Sequence, residues 1–194
     1  LKTLKNFSNS TNVHIGPISI GMHFNPYGES LVSNKNKIRL EMADSDPRHD
    51  QLFSLTWTLA IFIQSINKES KFFTFNSVYG HHGILNKDNT KRPLYHLNNF
   101  LISLTNSEIF KFNPVNEVYG LKIVLNDKKY YLFVNSSKQK KEIIIPEINF
   151  SNQCNLNLKN YTDIFNNDFS FFNFKKDLNP YAFEPLEIKF IEDK

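Results

Sequence analysis

The 194-residue chain predicts an α/β half followed by an all-β half, and three observations carry that expectation. A strand–helix–strand–helix order runs as far as Asn106, which is the repeating unit of parallel sheets. Beyond Asn106, short segments alternate apolar and polar residues with a period of two. The change of texture is abrupt, so a domain boundary is placed there, giving domains at 1–106 and 107–194.

The elements follow in order. Leu1 to Asn12 is polar and irregular, compatible with the tail of a helix through Leu1, Leu4 and Phe7. The first strand is expected at Pro17–Phe24, and it runs into His23-Phe24-Asn25-Pro26. From Asn25 to Ser45 turn signals accumulate without periodicity, an unusually long connection of the kind that often forms a binding loop. A helix should start at Asp46-Pro47-Arg48, where Asp46 can cap free N–H groups and Pro47 fits the first helical position because it lacks a donor. It continues to Ile66 and is apolar nearly all round, which predicts burial on more than one side.

A second strand is expected at Lys71–Ser77, leading into Val78-Tyr79-Gly80-His81-His82-Gly83. A second helix is expected from Pro93 with Leu94, Leu97, Phe100, Leu101 and Leu104 at helical spacing. The all-β half then reads as strands at Glu117–Leu125 and Lys129–Asn135 joined by an Asn126-Asp127 hairpin turn, and a further strand at Glu142–Ile145. Weaker strands at 155–160, 168–174 and 186–191 complete a small antiparallel β-sandwich.

Composition narrows the function classes. Apolar residues make up 40% and aromatic residues 14%, enough for a substantial core. Phe 19 and Tyr 8 against Trp 1, with abundant Asn and far more Lys than Arg, fits coding bias in an A/T-rich genome. The net charge of +4 is modest, and Lys138-Gln139-Lys140-Lys141 reads as a hydrated hairpin tip rather than a nucleic-acid surface. Cys154 stands alone, so no internal disulfide forms and a structural thiol is expected. The sequons at Asn9 and Asn135 arise readily by chance in an Asn- and Ser-rich chain.

No apolar stretch suits a bilayer span and no leader pattern opens the chain, so no membrane partner is expected and the cytoplasm is favoured over secretion. Residue 1 is Leu rather than Met, which suggests a piece of a longer polypeptide. No metal or cofactor is expected. His-x-x-x-His and Cys-x-x-Cys spacings, the phosphate-binding loop, the dinucleotide fingerprint and the Gly-x-Ser-x-Gly elbow are all missing.

Two βα units cannot close a barrel, which needs eight. They form either a small open sheet or the last two units of a (β/α)8 barrel whose other strands lie elsewhere. The ordered motifs Pro17-Ile18-Ser19-Ile20-x-x-His23-Phe24-Asn25-Pro26, Asp46-Pro47-Arg48 with Trp57-Thr58-Leu59, Gly80-x-x-Gly83, Pro93-Leu94-Tyr95-His96 and Leu178-Asn179-Pro180-Tyr181-Ala182 bear on that choice. Together they resemble the C-terminal half of D-apionate lactonase-like proteins. The resemblance implies a glycoside-hydrolase-like barrel followed by a β-sandwich, hydrolysis of the lactone of a branched-chain sugar acid, and an N-terminal barrel portion in the same polypeptide. Two departures stand out: Ser77 where the family pattern places Glu, and His23 where it places a strand-end Arg. The first bears on activity because sugar-type hydrolysis generally uses two carboxylates.

Reactive groups in parallel sheets gather past the carboxyl ends of the strands, so candidate residues are sought there. Lactone hydrolysis needs an activated water, a group that polarises the carbonyl, and donors to ring hydroxyls. His23 and Asn25 share one face of the first strand and are the catalytic candidates, a base and an oxyanion donor. The competing readings are a hydrogen-bonded core histidine and a self-bonded Asn-Pro turn. Arg48, Tyr79 and His81 are the substrate-binding candidates for a small carbohydrate or sugar acid, with an Arg48 pair to Asp46 or Asp50 as the structural alternative. Trp57 is assigned to the core and Tyr95-His96 to support from behind the site. A glycoside hydrolase of the same architecture and a non-catalytic carbohydrate-binding relative are the alternative functions.

Overall fold

The computed structural model describes residues 13–20, 35–36, 46–66, 70–80, 83–144, 150–166, 169–175 and 181–193. Within them β1 (Val13–Ile18) pairs in parallel with β2 (Ser70–Phe75), and α1 (Leu52–Ser65) lies between them in the chain. The first strand therefore sits earlier than Pro17–Phe24. Pro17 is the penultimate residue of a strand that, among the described residues, pairs on one side only, where a missing ladder donor is tolerated. The segments Leu1–Asn12 and 25–45 fall outside the described residues, apart from 35 and 36.

The helix expected at Asp46 is divided in two. Pro47–Asp50 forms a single 3-10 turn, Gln51 is extended, and α1 starts only at Leu52. The Ser54 hydroxyl donates to the carbonyls of Gln51 and His49, which holds the break. Burial of α1 on two sides is realised. Leu52, Leu55, Leu59 and Ile63 join a core with Leu121, Ile123 and Leu132, while Phe62 meets Phe73 and Phe75 of β2 edge-on at 5.0 and 5.8 Å. Trp57, expected in the core, is only partly covered.

After β2 come two three-residue strands, β3 (Ser77–Tyr79) and β4 (Gly83–Leu85), and then α2 (Pro93–Ser103) with proline at its first turn. The Gly80-x-x-Gly83 motif has a steric reason. Gly80 takes φ +93°, and a Cβ on Gly83 would lie 2.4 Å from the Tyr79 carbonyl carbon, closer than any side chain can sit.

The β-rich half is built on one five-stranded antiparallel sheet in the order β5-β6-β7-β11-β9: β5 (Glu108–Lys111), β6 (Val118–Leu125), β7 (Lys128–Asn135), β11 (Ile188–Asp193) and β9 (Phe150–Leu156). A short pair, β8 (Lys141–Glu142) with β10 (Ala182–Phe183), lies apart from it. Asn126 and Asp127 both take positive φ, as a two-residue hairpin with the strands' own twist requires. In β7 the pleat divides the side chains: Tyr130, Leu132 and Val134 face the core shared with α1 and α2, whereas Tyr131 and Phe133 face a second cluster with Val118, Ile143, Phe183 and Ile191. Both faces are covered, so the strand reads as a continuous apolar run.

Three readings of this half need correction, the first being the strand expected at 155–160, which is β9 at Phe150–Leu156 followed by a turn at 158–160. β5 was not anticipated, because three of its four residues are exposed and its pattern is faint. Asp168–Phe174 is not a strand: its described part, Phe169–Phe174, is irregular, and its phenylalanines plug the core against Phe100, Tyr130 and Phe190. Lys138, Gln139 and Lys140 are exposed as read, but the run is not a hairpin tip: it connects β7 to β8, and β8 pairs with β10. The Asn135 sequon is internal: Asn135 is fully buried and donates to the carbonyls of Gln139 and Glu184 at 2.8 and 2.9 Å.

Candidate active site at the exits of the parallel strands

Parallel pairing places the ends of β1 and β2 at one edge, with Ile18 opposite Phe75 and the Asn76 N–H donating to the Ile18 carbonyl at 3.0 Å. Asn76 takes a left-handed conformation, φ +51°, which asparagine tolerates. Two residues past β1, the Ile20 carbonyl accepts a hydrogen bond from His49 Nε2, and His49 is completely buried. The 3-10 turn that carries Arg48 is thereby pinned beside the exit of β1.

The same turn is tied to a second place. Asp50 lies 3.3 Å from Arg92 Nε, and Arg92 also donates to Asn86 Oδ1 at 2.7 Å and to the Gly83 carbonyl at 3.3 Å. Arg92 is 7% exposed and caps the approach to α2, so the turn Pro47–Asp50 joins the exit of β1 to the base of the loop after β3. His49 and Arg92 were missed as organising residues. Arginine occurs only three times in this chain, and that scarcity was the available signal for Arg92 as it was for Arg48.

Arg48 is held by Asp46. Its Nε and Nη2 donate to the two carboxylate oxygens, and the backbone N–H of Arg48 donates to Asp46 Oδ1 at 2.9 Å. The guanidinium beside it holds the Asp46 carboxyl down at about 2. The expected cap is therefore present, and the structural alternative for Arg48 is realised with Asp46 while Asp50 goes to Arg92. Arg48 still exposes 52% of its side chain and lies 5.6 Å over the Phe53 ring, with Nη1 taking no part in the Asp46 fork.

Tyr79 ends β3 and is 59% exposed, and the Ser77 hydroxyl donates to its carbonyl at 3.1 Å. His23, Asn25 and His81 lie outside the described residues. Behind the site, burial lowers the His96 pKa and so favours the neutral ring, which meets Tyr95 and Phe169 edge-on. Burial pushes the Cys154 thiol up to about 11, so it is protonated and poorly nucleophilic at neutral pH. Among the described residues no three metal-ligating side chains converge, and no helix is long and apolar enough to cross a membrane.

Residues 1–106, more than half of the chain, match the family model described as D-apionate lactonase, TIM barrel domain. The chain belongs to the D-apionate lactonase family. A D-apionate lactonase from Brucella anthropi is 34% identical over 87 residues, which cover 42% of this chain and 14% of that enzyme's length. Among solved structures, a family 30 glycoside hydrolase endoxylanase from Clostridium papyrosolvens superposes with a TM-score of 0.46 at 8% identity, covering 78% of this chain and 40% of the enzyme. A family 30 subfamily 8 xylanase from Clostridium acetobutylicum superposes with a TM-score of 0.49 at 11% identity, covering 93% of this chain and 47% of that one. The D-apionate lactonase match spans β1, the Arg48 turn, both helices and β2 to β4, the elements that assemble the strand exits.

Proposed function

We propose that this chain supplies the last two βα units of a (β/α)8 barrel over residues 1–106, and an antiparallel β-sandwich over 107–194, in an enzyme that hydrolyses a sugar-acid lactone. The observation that carries the reading is that a lactonase family match coincides with a parallel strand pair whose exits lie side by side. The other barrel strands come from an N-terminal portion of the same polypeptide. Among the described residues β1 and β2 have no further strand beside them, and Phe72 is 63% exposed, a surface that barrel neighbours cover in this reading.

In the reaction, water adds to the acyl carbon, the ring's acyl C–O bond breaks, and the leaving alkoxide takes a proton, giving a free hydroxyl and a carboxylic acid that then loses its proton to solvent. His23 removes the proton from water and returns it to the alkoxide. Asn25 donates to the developing oxyanion. Arg48 holds the sugar acid through the donors Asp46 leaves free, Tyr79 stacks on the ring, and His81 bonds a hydroxyl. The substrate is a small carbohydrate, and the balance of atoms calls for no cofactor.

The intact polypeptide assayed on aldonolactones is expected to turn them over. His23→Ala should lower kcat roughly 10²- to 10⁴-fold. Arg48→Ala should raise KM about tenfold or more, the loss of one charge-assisted hydrogen bond. Unchanged turnover in both variants would remove them from the site, and hydrolysis of aryl glycosides alone would transfer the reading to a glycoside hydrolase. A second reading rests on Ser77: with Ser in place of the family Glu, and its hydroxyl bound to the Tyr79 carbonyl, the chain could belong to a non-catalytic carbohydrate-binding relative. Sugar binding without turnover of either substrate class would favour it.

A further inference from the structure

A cavity bordered by described residues lies apart from the strand exits, at the outer edge of the β-rich half. It encloses about 500 Å³ and is bounded by β9, the 3-10 turn Tyr161–Phe165 and the segment 169–175. Neither Arg48 nor Tyr79, the described residues of the proposed lactonase site, lines it.

Its walls are amides. Asn155, Asn157, Asn160, Asn166 and Asn173 all border it, and asparagine occupies seven of the 22 positions from 152 to 173 against 26 of 194 overall. Uniform coding bias does not produce that local density. Several of these side chains are braced. Asn160 Oδ1 accepts from the Asn157 N–H at 2.8 Å while its Nδ2 donates to the Asn155 carbonyl at 2.9 Å, and Asn157 Nδ2 donates to Glu187 at 3.3 Å. A braced polar wall keeps its shape before a ligand arrives, which reduces the ordering cost of binding.

Among the described residues its lining carries one acid and one base, Asp163 and Lys175, besides the inert Cys154. A phosphate site would need converging cations, and a metal site would need converging carboxylates or imidazoles. Carboxamides offer two donors and an acceptor each, the same mixed pattern that a hydroxyl presents. Phe169 forms part of the wall, and a second cavity of about 270 Å³ shares Phe169 and Ser170 and reaches Tyr95 and His96. His96 Nε2 there is buried and has no hydrogen-bond partner among the described residues. An aromatic wall beside hydroxyl-matching amides suits a ring with a C–H face and a hydroxylated rim.

We infer that this Asn-rich cavity is a second, non-catalytic binding site for a neutral saccharide, with Asp163, Asn166 and Phe169 as its contact residues. The site stands independently of the lactone reading. Isothermal titration of the intact polypeptide with D-glucose, D-xylose and cellobiose, with inorganic phosphate as the control, tests it. At least one sugar should bind and phosphate should not. Asn166→Ala and Asp163→Ala, whose residues are exposed, should melt like the parent yet bind that sugar roughly tenfold more weakly. Arg48→Ala should bind it unchanged, and Asn166→Ala should leave lactone turnover unchanged. The inference is overturned if none of the three sugars binds, if phosphate binds as well, or if binding is insensitive to Asn166 and Asp163. Loss of binding in Arg48→Ala would also overturn it, by placing the sugar at the strand exits.

Discussion

Replacing Glu187 by alanine is expected to cost about 3–5 kcal/mol of stability, because it removes a buried carboxylate that neighbours the Lys189 ammonium and accepts two hydrogen bonds. The two side chains are 3% and 2% exposed, with Lys189 Nζ 3.9 Å from Glu187 Oε2. Glu187 also accepts from the Glu184 N–H at 2.8 Å and from Asn157 Nδ2 at 3.3 Å, so alanine leaves two further donors without their acceptor. Lys189 keeps only part of its environment, including the Phe183 ring 4.9 Å away. Urea unfolding measures the loss. Glu187→Gln should lose less, and Glu187→Gln with Lys189→Met should recover much of it, since both charges then leave together. A Glu187→Ala variant as stable as the parent would show that the pair contributes nothing.

The pair also has a pH signature. Burial raises the Glu187 pKa above its ordinary value of 4.5, outweighing Lys189 and the hydrogen bonds that pull it down. The folded chain thus holds this proton more tightly than the unfolded chain, so its contribution is complete below about pH 4.5 and declines as pH rises through the folded value. Asp46 runs the other way. Its carboxyl, held at about 2 against an ordinary 3.8, contributes stability above pH 3.8 that is lost as pH falls toward 2, and the exposed Arg48 keeps that contribution small.

Phe190→Ala is the second large effect, expected at about 3–5 kcal/mol for a fully enclosed aromatic. The Phe190 ring is completely buried, with Phe100 at 4.9 Å, Tyr130 at 5.2 Å, Phe172 at 5.4 Å and Phe174 at 5.5 Å. Those neighbours come from α2, from β7 and from the irregular aromatic segment, so one cavity loosens all three. Phe100 lies before the proposed boundary at 106 and the others after it. Thermal unfolding of Phe190→Ala should therefore remain a single transition at a lower midpoint. Two separated transitions would mean that the halves fold without sharing this core.

What the sequence made legible followed from strong local chemistry. Asp46-Pro47, Pro93 and Asn126-Asp127 each impose a backbone geometry that few other residues accept, and each feature lies where it was expected. The helical spacing of Leu94, Leu97, Phe100 and Leu104 identified the core face of α2. What was illegible depended on partners distant in sequence. The aromatic run 169–174 satisfies a strand pattern equally well, and only its packing against Phe100 and Phe190 explains why it is not one. The break at Gln51 is held by Ser54, three residues inside the helix, a position that carries no warning.

The site divides along the same line. Arg48 and Asp46 could be paired from their spacing, but Asp50 with Arg92 and His49 with Ile20 span 42 and 29 residues. Those long-range bonds bring the Arg48 turn to the strand exits, and periodicity does not reveal them. His23, Asn25 and His81 remain sequence-based proposals and lie outside the described residues.

The most direct test is a crystal structure of the intact polypeptide soaked with an aldonate, the product of lactone opening. The account predicts density at the shared exits of β1 and β2, within hydrogen-bond reach of Arg48 and beside Tyr79. Aldonate bound only elsewhere, with that edge empty or covered by the β-rich half, would contradict it.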